Sequence, residues 1–296
     1  MIVANLVGGI GNQMFQYANA KNLSEKLSLP LYFTNDINSF YSKENKNLFQ
    51  SIFNLKLNYI DKSIFINNFG MFYTNKYLRF VLSKIPNSFS IPKNLHFEPS
   101  IIKYQSLIER VSLTKGGYIH GYWQSELYFK EISSIIKDDF IFENISDNEN
   151  LTTLIEIKKH NSIGVHIRRG DYYKSKIHQI CSKSYYINSM KYFIQNTKNP
   201  LFFIFSDDPT WVKNNIIQDF GNSILVLNNQ NKNHYIDMQL MSNCKHNIIS
   251  NSSFSWWAAW LNANNNKIII SPRYWYKNIY VADLIPTNWL LFDNLD

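Results

Sequence analysis

In the second half of the chain, short apolar runs alternate with helix-length amphipathic stretches, and this restricts the fold more than any other feature of the sequence. Ile163 to Ile167, Leu201 to Phe205, Ile224 to Leu227, Asn247 to Ile249 and Lys267 to Ile270 have the length and apolarity of strands. Helical stretches open between them at Ser184, Thr210, Tyr235 and Ser253. Strands of this kind, separated by helices, belong to a doubly wound parallel sheet, so the fold class is α/β.

The chain also starts in this way. Ile2-Val3-Ala4-Asn5-Leu6-Val7 has the apolar density of a buried strand, and Gly8-Gly9-Ile10-Gly11-Asn12-Gln13 turns it into a stripe of Met14, Phe15, Ala18, Leu23 and Leu27. Pro30 ends that helix and Leu31-Tyr32-Phe33 follows as a strand, which gives a β-turn-α-β unit. The polar stretch Ser146 to Asn150 separates the two halves, and the domain boundary is expected there, giving residues 1–150 and 151–296. Two Rossmann-like domains facing each other across a cleft are the expected arrangement. Thr34 to Thr114 is rich in Asn, Lys, Ser and Phe and has weak periodicity, so it predicts only some helix. Gly117 to Gln124 reads as a strand whose aromatics and glycines suit either a sugar-contacting edge or tight packing.

Of 296 residues, 45% are hydrophobic and 16% aromatic, as in a globular protein with a sizeable core. The formal net charge of +8 favours an anionic partner: a nucleic acid, a nucleotide sugar or an acidic membrane face. The basic residues are spread along the chain, which argues against a nucleic-acid-binding arm. Two cysteines, Cys181 and Cys244, are too few for a disulfide framework or a Cys-based zinc site, which fits a reducing compartment. Met1 leads directly into the first strand without a leader-like segment, and no apolar run approaches the roughly 20 residues of a bilayer span. A cytoplasmic protein is expected, with peripheral contact at the inner membrane face the most that its charge would add.

The strongest chemical signal is Gly164-Val165-His166-Ile167-Arg168-Arg169-Gly170-Asp171-Tyr172, which sets two arginines and an aspartate at the carboxyl end of the first strand of the second half. Ligands of open α/β sheets bind at that end. Alternation along the strand puts His166 and Arg168 on one face and Arg169 on the other. A guanidinium fork matches a diphosphate and keeps its charge, so Arg168 suits a leaving group that gains negative charge. The competing reading is a structural ion pair with Asp171. The second signal is Ser250-Asn251-Ser252-Ser253-Phe254-Ser255-Trp256-Trp257, small polar side chains at a helix start where N–H groups and the dipole attract anions. One serine would suffice for a cap, and the tryptophans read as core.

Asp237 begins a helix-like stretch and suits either the N1 and N2 protons of guanine or a capping role. Ser206-Asp207-Asp208-Pro209 is more simply a helix cap than a catalytic pair. No Asp-x-Asp pair follows an apolar strand and no histidine pair has metal-ligand spacing, so no metal or other cofactor is expected. The Gly8 to Gln13 turn departs from the dinucleotide fingerprint in its glycine spacing.

Taken together, Gly8 to Ala18, His166 to Tyr172 and Ser250 to Trp260, with Gly121-Tyr122-Trp123-Gln124 and Tyr128-Phe129 as a further block, resemble the bacterial α-1,2-fucosyltransferases of glycosyltransferase family 11. The resemblance runs along nearly the whole chain. It implies a GT-B fold and inverting, metal-independent transfer of L-fucose from GDP-β-L-fucose to the 2-hydroxyl of a galactoside, in O-antigen or capsule synthesis. The acceptor would be a galactose-terminated oligosaccharide or a lipid-linked glycan. By the resemblance, His166 and Asp237 would face guanine or ribose and Arg168 the β-phosphate, with Arg169 beside it. Ser252 and Ser253 would face the diphosphate, with Ser250, Asn251 and Phe254 as further donor-binding residues, while Asn12 and Gln13 would approach the fucose, with Gly11 also on the donor-binding side. Arg168, Asn12 and Asp171 are the expected catalytic residues, and Asp171 and Glu126 are the candidate bases.

Overall fold

The structure, a computed structural model, describes residues 1–35, 48–70, 93–98, 103–229, 233–277 and 279–295. It divides into two compact units, Met1–Glu143 and Asn144–Asp296. The division precedes the boundary expected at residue 150. The polar stretch taken as a linker is instead a helix start: Asp147 caps α6 by accepting the Asn150 N–H at 2.9 Å.

Unit 1 contains β1 (Ile2–Leu6), α1 (Ile10–Leu27), β2 (Leu31–Asn35), α2 (Leu48–Phe53), α3 (Lys62–Phe69), β3 (Leu95–Phe97), α4 (Ile108–Leu113), β4 (Gly117–His120) and α5 (Ser133–Asp139). Its four strands pair in parallel in the order β2-β1-β4-β3. β1 is apolar and wholly buried because it is the inner strand that α1 crosses on its way to β2. Tyr17 of α1 joins Phe33, Phe49 and Phe140 in an aromatic core, with ring centres 5.4 to 5.8 Å apart, and its hydroxyl donates to Asp139. Part of the weakly periodic Thr34 to Thr114 stretch lies outside the described residues.

Unit 2 contains α6 (Asn148–Lys159), β5 (Asn161–Ile167), α7 (Lys183–Asn196), β6 (Pro200–Ser206), α8 (Pro209–Asn215), β7 (Ser223–Val226), α9 (His234–Ser242), β8 (His246–Ile248), α10 (Ser253–Leu261), β9 (Ile269–Pro272), the antiparallel pair β10 (Tyr274–Tyr276) and β11 (Ile279–Tyr280), and β12 (Leu290–Phe292). The six-stranded sheet is parallel, with order β12-β9-β8-β5-β6-β7. The chain therefore winds outward from β5 to one edge, returns through α9 to β8, and winds outward to the other. This is the doubly wound order of dinucleotide-binding domains, whose crevice opens where the direction reverses, between β5 and β8. Tyr185, Tyr186, Met190 and Phe193 of α7 form one face of the core against Ile163, Val165, Phe202 and Ile204. Trp256, Trp257 and Trp260 are buried in packing, as read from the sequence, and Trp256 Nε1 donates to the Leu284 carbonyl.

Candidate active site

The two strongest sequence signals meet at this reversal point. Arg168 to Asp171 leave the carboxyl end of β5, and Ile249 to Ser252 leave that of β8, the strand paired with it. Two contacts join the loops: His166 Nδ1 lies 2.8 Å from Ser250 Oγ, and the Tyr172 hydroxyl donates to the Asn251 carbonyl at 3.0 Å.

Arg168 is half-buried, with NH2 2.8 Å from Asp171 Oδ1 and NH1 3.1 Å from Asp207 Oδ2. The structural ion pair with Asp171 is thus present, and a second carboxylate shares the load. Asp207 also accepts the backbone N–H groups of Arg169 at 2.9 Å and Gly170 at 3.1 Å. A side chain at position 170 would have to push this carboxylate aside, because a Cβ there would lie 2.8 Å from Asp207 Oδ2. Asp207 is the residue the sequence reading undervalued. The pairing of Ile167 with Ser206 puts it beside Arg168, a register that the apolar runs of β5 and β6 do not disclose. Asp208 is the helix cap expected, accepting the Trp211 N–H at 3.0 Å.

Arg169 does not share this position. Its guanidinium lies 3.8 Å from the centre of the Trp211 ring, pairs with Asp208 at 3.7 Å, contacts the Tyr173 hydroxyl and is buried. It holds the loop to α8 and does not share the position of Arg168.

The serine stretch also divides. Ser250 is fully buried, with its hydroxyl on His166. Asn251 is fully buried too, its amide donating to the carbonyls of Gln179 at 2.6 Å and Trp275 at 2.7 Å while its oxygen accepts from Cys181 Sγ. These two side chains act as structural clasps that tie the stretch to its neighbours. Ser252, Ser253 and Phe254 are half-buried at the start of α10, and no side chain caps that helix. Its first N–H groups and the positive end of its dipole form the anion-attracting element here. His166 is enclosed between Ser250 and the Phe254 ring, 5.4 Å away, and burial together with the Arg168 charge lowers its pKa to about 3. In the folded protein the imidazole is therefore held in its neutral form.

Asp237 sits in the first turn of α9, and burial raises its carboxyl to about 6 against a 2.7 Å hydrogen bond from Asn229 Nδ2. Asn229 in turn exchanges hydrogen bonds with Asn150 at 2.9 and 3.0 Å, so α6 steadies the carboxylate. In unit 1, Gly11 and Gln13 are buried at the start of α1, and Gln13 Nε2 donates to the Gly8 carbonyl at 2.8 Å. Asn12 Oδ1 accepts from Gln124 Nε2 at 2.8 Å. Glu126 opens the turn Glu126–Tyr128, which Ser125 caps. Among the described residues no three His, Cys, Asp or Glu side chains are grouped to hold a metal ion, and no helix is long and apolar enough to cross a membrane.

A doubly wound sheet that brings an arginine and an uncapped helix start together at its reversal point defines a phosphate- or nucleotide-binding α/β protein. The family follows from the whole sequence: the model for Glycosyl transferase family 11 matches residues 1–291, and the chain belongs to that family of glycosyltransferases. It is 34% identical over 303 residues to the alpha-1,2-colitosyltransferase of Escherichia coli, covering 98% of each chain. It is 32% identical over 302 residues to the O-antigen biosynthesis glycosyltransferase WbnK of Escherichia coli, covering 96% of this chain and 98% of that one. In fold it is similar to the NodZ alpha-1,6-fucosyltransferase of Bradyrhizobium, with a TM-score of 0.50 and 13% identity over 88% of this chain and 91% of the other.

Proposed function

We propose that this glycosyltransferase moves L-fucose from GDP-β-L-fucose to the 2-hydroxyl of a terminal β-galactoside, with inversion and without a metal ion, in the GT-B arrangement implied by the family resemblance. The observation that carries the donor reading is Arg168, held by Asp171 and Asp207 at the carboxyl end of β5 beside the helix start at Ser252 and Ser253. As the glycosidic bond breaks, negative charge gathers on the departing GDP. A fixed guanidinium and aligned N–H groups stabilise it more in the transition state than in the ground state. Asp237 is the proposed guanine acceptor, and Asn12 and Gln13 the contacts to fucose. Asp171 serves as base only by giving up its pairing with Arg168. A loose, oxocarbenium-like transition state lowers the demand for a strong base. A galactose-terminated, lipid-linked O-antigen or capsule glycan is the acceptor we favour, with the enzyme cytoplasmic and at most peripheral on the inner membrane face. Similarity to WbnK supports the O-antigen setting.

A second reading is favoured by the full-length similarity to a colitosyltransferase: the donor is GDP-colitose, whose sugar is L-fucose without its 3-hydroxyl. One experiment tests both readings. The purified protein is incubated with either donor, EDTA and a panel including lactose and Gal-β-1,3-GalNAc, and GDP release and product linkage are measured beside Arg168→Ala. We expect acceptor-dependent release in EDTA, lowered roughly 100-fold by the substitution, the size of losing one transition-state donor. Release from GDP-colitose alone would replace fucose as the donor sugar. Absence of GDP binding would remove the donor reading.

A further inference from the structure

At the carboxyl edge of the first sheet, β4 ends in a turn that is held unusually firmly. Glu98, immediately after β3, accepts the backbone N–H of Tyr122 at 2.8 Å with Oε2 and that of Trp123 at 3.0 Å with Oε1. Position 121 admits only glycine, since a Cβ there would lie 2.4 Å from Glu98 Cβ. Trp123 is a bulky residue at φ 56°, a conformation that side chains rarely adopt and that surrounding contacts must enforce. Its ring supplies part of that enforcement, being buried edge-on to Tyr128 at 5.4 Å. The next residue, Gln124, donates to Asn12 at the start of α1. With Trp123 anchored inward, the Tyr122 side chain remains 43% exposed at the tip.

The chemistry at this edge differs from that in unit 2. Gly121 to Gln124 contains no lysine or arginine, and the carboxylate beneath it opposes a phosphate. Burial raises the Glu98 carboxyl to about 7, with the two N–H bonds the opposing influence, so no cation offsets its charge among the described residues. An exposed aromatic residue on a turn without basic residues, two positions before an amide, suits the apolar face and hydroxyls of a neutral sugar.

We infer that the Gly121–Gln124 turn is an acceptor-sugar subsite, in which Tyr122 stacks on the sugar ring and Glu98 is the positioning residue that holds the turn in its strained form. This inference rests on the glycosyltransferase reading above for its choice of ligand. Glu98 belongs to the weakly periodic Thr34 to Thr114 stretch, yet it shapes a turn outside it.

The test measures binding of lactose and Gal-β-1,3-GalNAc by saturation-transfer NMR without donor, and GDP affinity by calorimetry. It uses wild type, Tyr122→Ala, Tyr122→Phe and Glu98→Gln, each checked by thermal melting. We expect Tyr122→Ala to weaken galactoside binding about ten-fold, the size of one aromatic stacking contact, and Tyr122→Phe to retain it. Glu98→Gln should weaken galactoside binding and raise the acceptor KM, with GDP affinity kept within about two-fold, since the GDP contacts proposed above are made by other side chains. Equal galactoside binding by wild type and Tyr122→Ala, or no binding by wild type, overturns the subsite. So does loss of GDP affinity in parallel with galactoside affinity. Galactoside binding that depends on Tyr122 in a protein that does not bind GDP would instead remove the donor reading and leave the subsite standing.

Discussion

Arg169 lies against Trp211 and is nearly enclosed, whereas its neighbour Arg168 is half-buried between two carboxylates at the mouth of the sheet. Identical side chains one position apart are thus put to different uses by the alternation of the backbone. His166 and Arg168, which alternation puts on one face, differ instead in charge, because the imidazole is buried. With the folded pKa of His166 lowered to about 3 from its ordinary 6.5, the unfolded chain binds a proton that the folded chain refuses. His166 therefore contributes stability that is present above pH 6.5 and lost as pH falls toward 3. In urea unfolding followed from pH 7 to pH 4, the stability difference between wild type and His166→Asn should shrink with acidification. A constant difference would mean that the imidazole titrates alike in both states.

Among elements, the loop after β5 depends on a carboxylate from the end of β6, and Gly170 is where the two come closest. Gly170→Ala should displace Asp207 and weaken GDP binding measured by calorimetry, while Gly221→Ala, where an added Cβ meets nothing within 4 Å, should leave it unchanged. Unaltered GDP affinity in Gly170→Ala would detach the loop's form from its ligand. The strand and helix alternation from β5 to β9 was legible because each strand is an apolar run and each helix carries a buried stripe. α6 was not: Asn148, Glu149 and Asn150 read as loop, yet Asp147 starts a helix there that buries Asn150 and Ile157. β10, β11 and β12 are too short to carry a period. Arg168 and the helix start at Ser253 were legible from their place after apolar runs. The clasp made by Asn251 and the grip of Asp207 were not, because both depend on pairings between distant segments.

At the scale of the whole molecule, each unit has its own parallel sheet and its own aromatic or aliphatic core. A ligand held by one sheet should therefore slow hydrogen exchange in that unit first. GDP should protect residues 166–172 and 250–256; protection by GDP across β1 to β4 instead would contradict this division. The strand order of unit 2 also has a consequence for synthesis. His166 and Ser250 are 84 positions apart, so β5, β6 and β7 leave the ribosome long before β8 joins β5. A nascent chain stalled after β7 has three adjacent strands and Arg168, but neither β8 nor α10. Until β8 is made, β5 must wait with one edge unpaired, a period in which chaperone protection matters most.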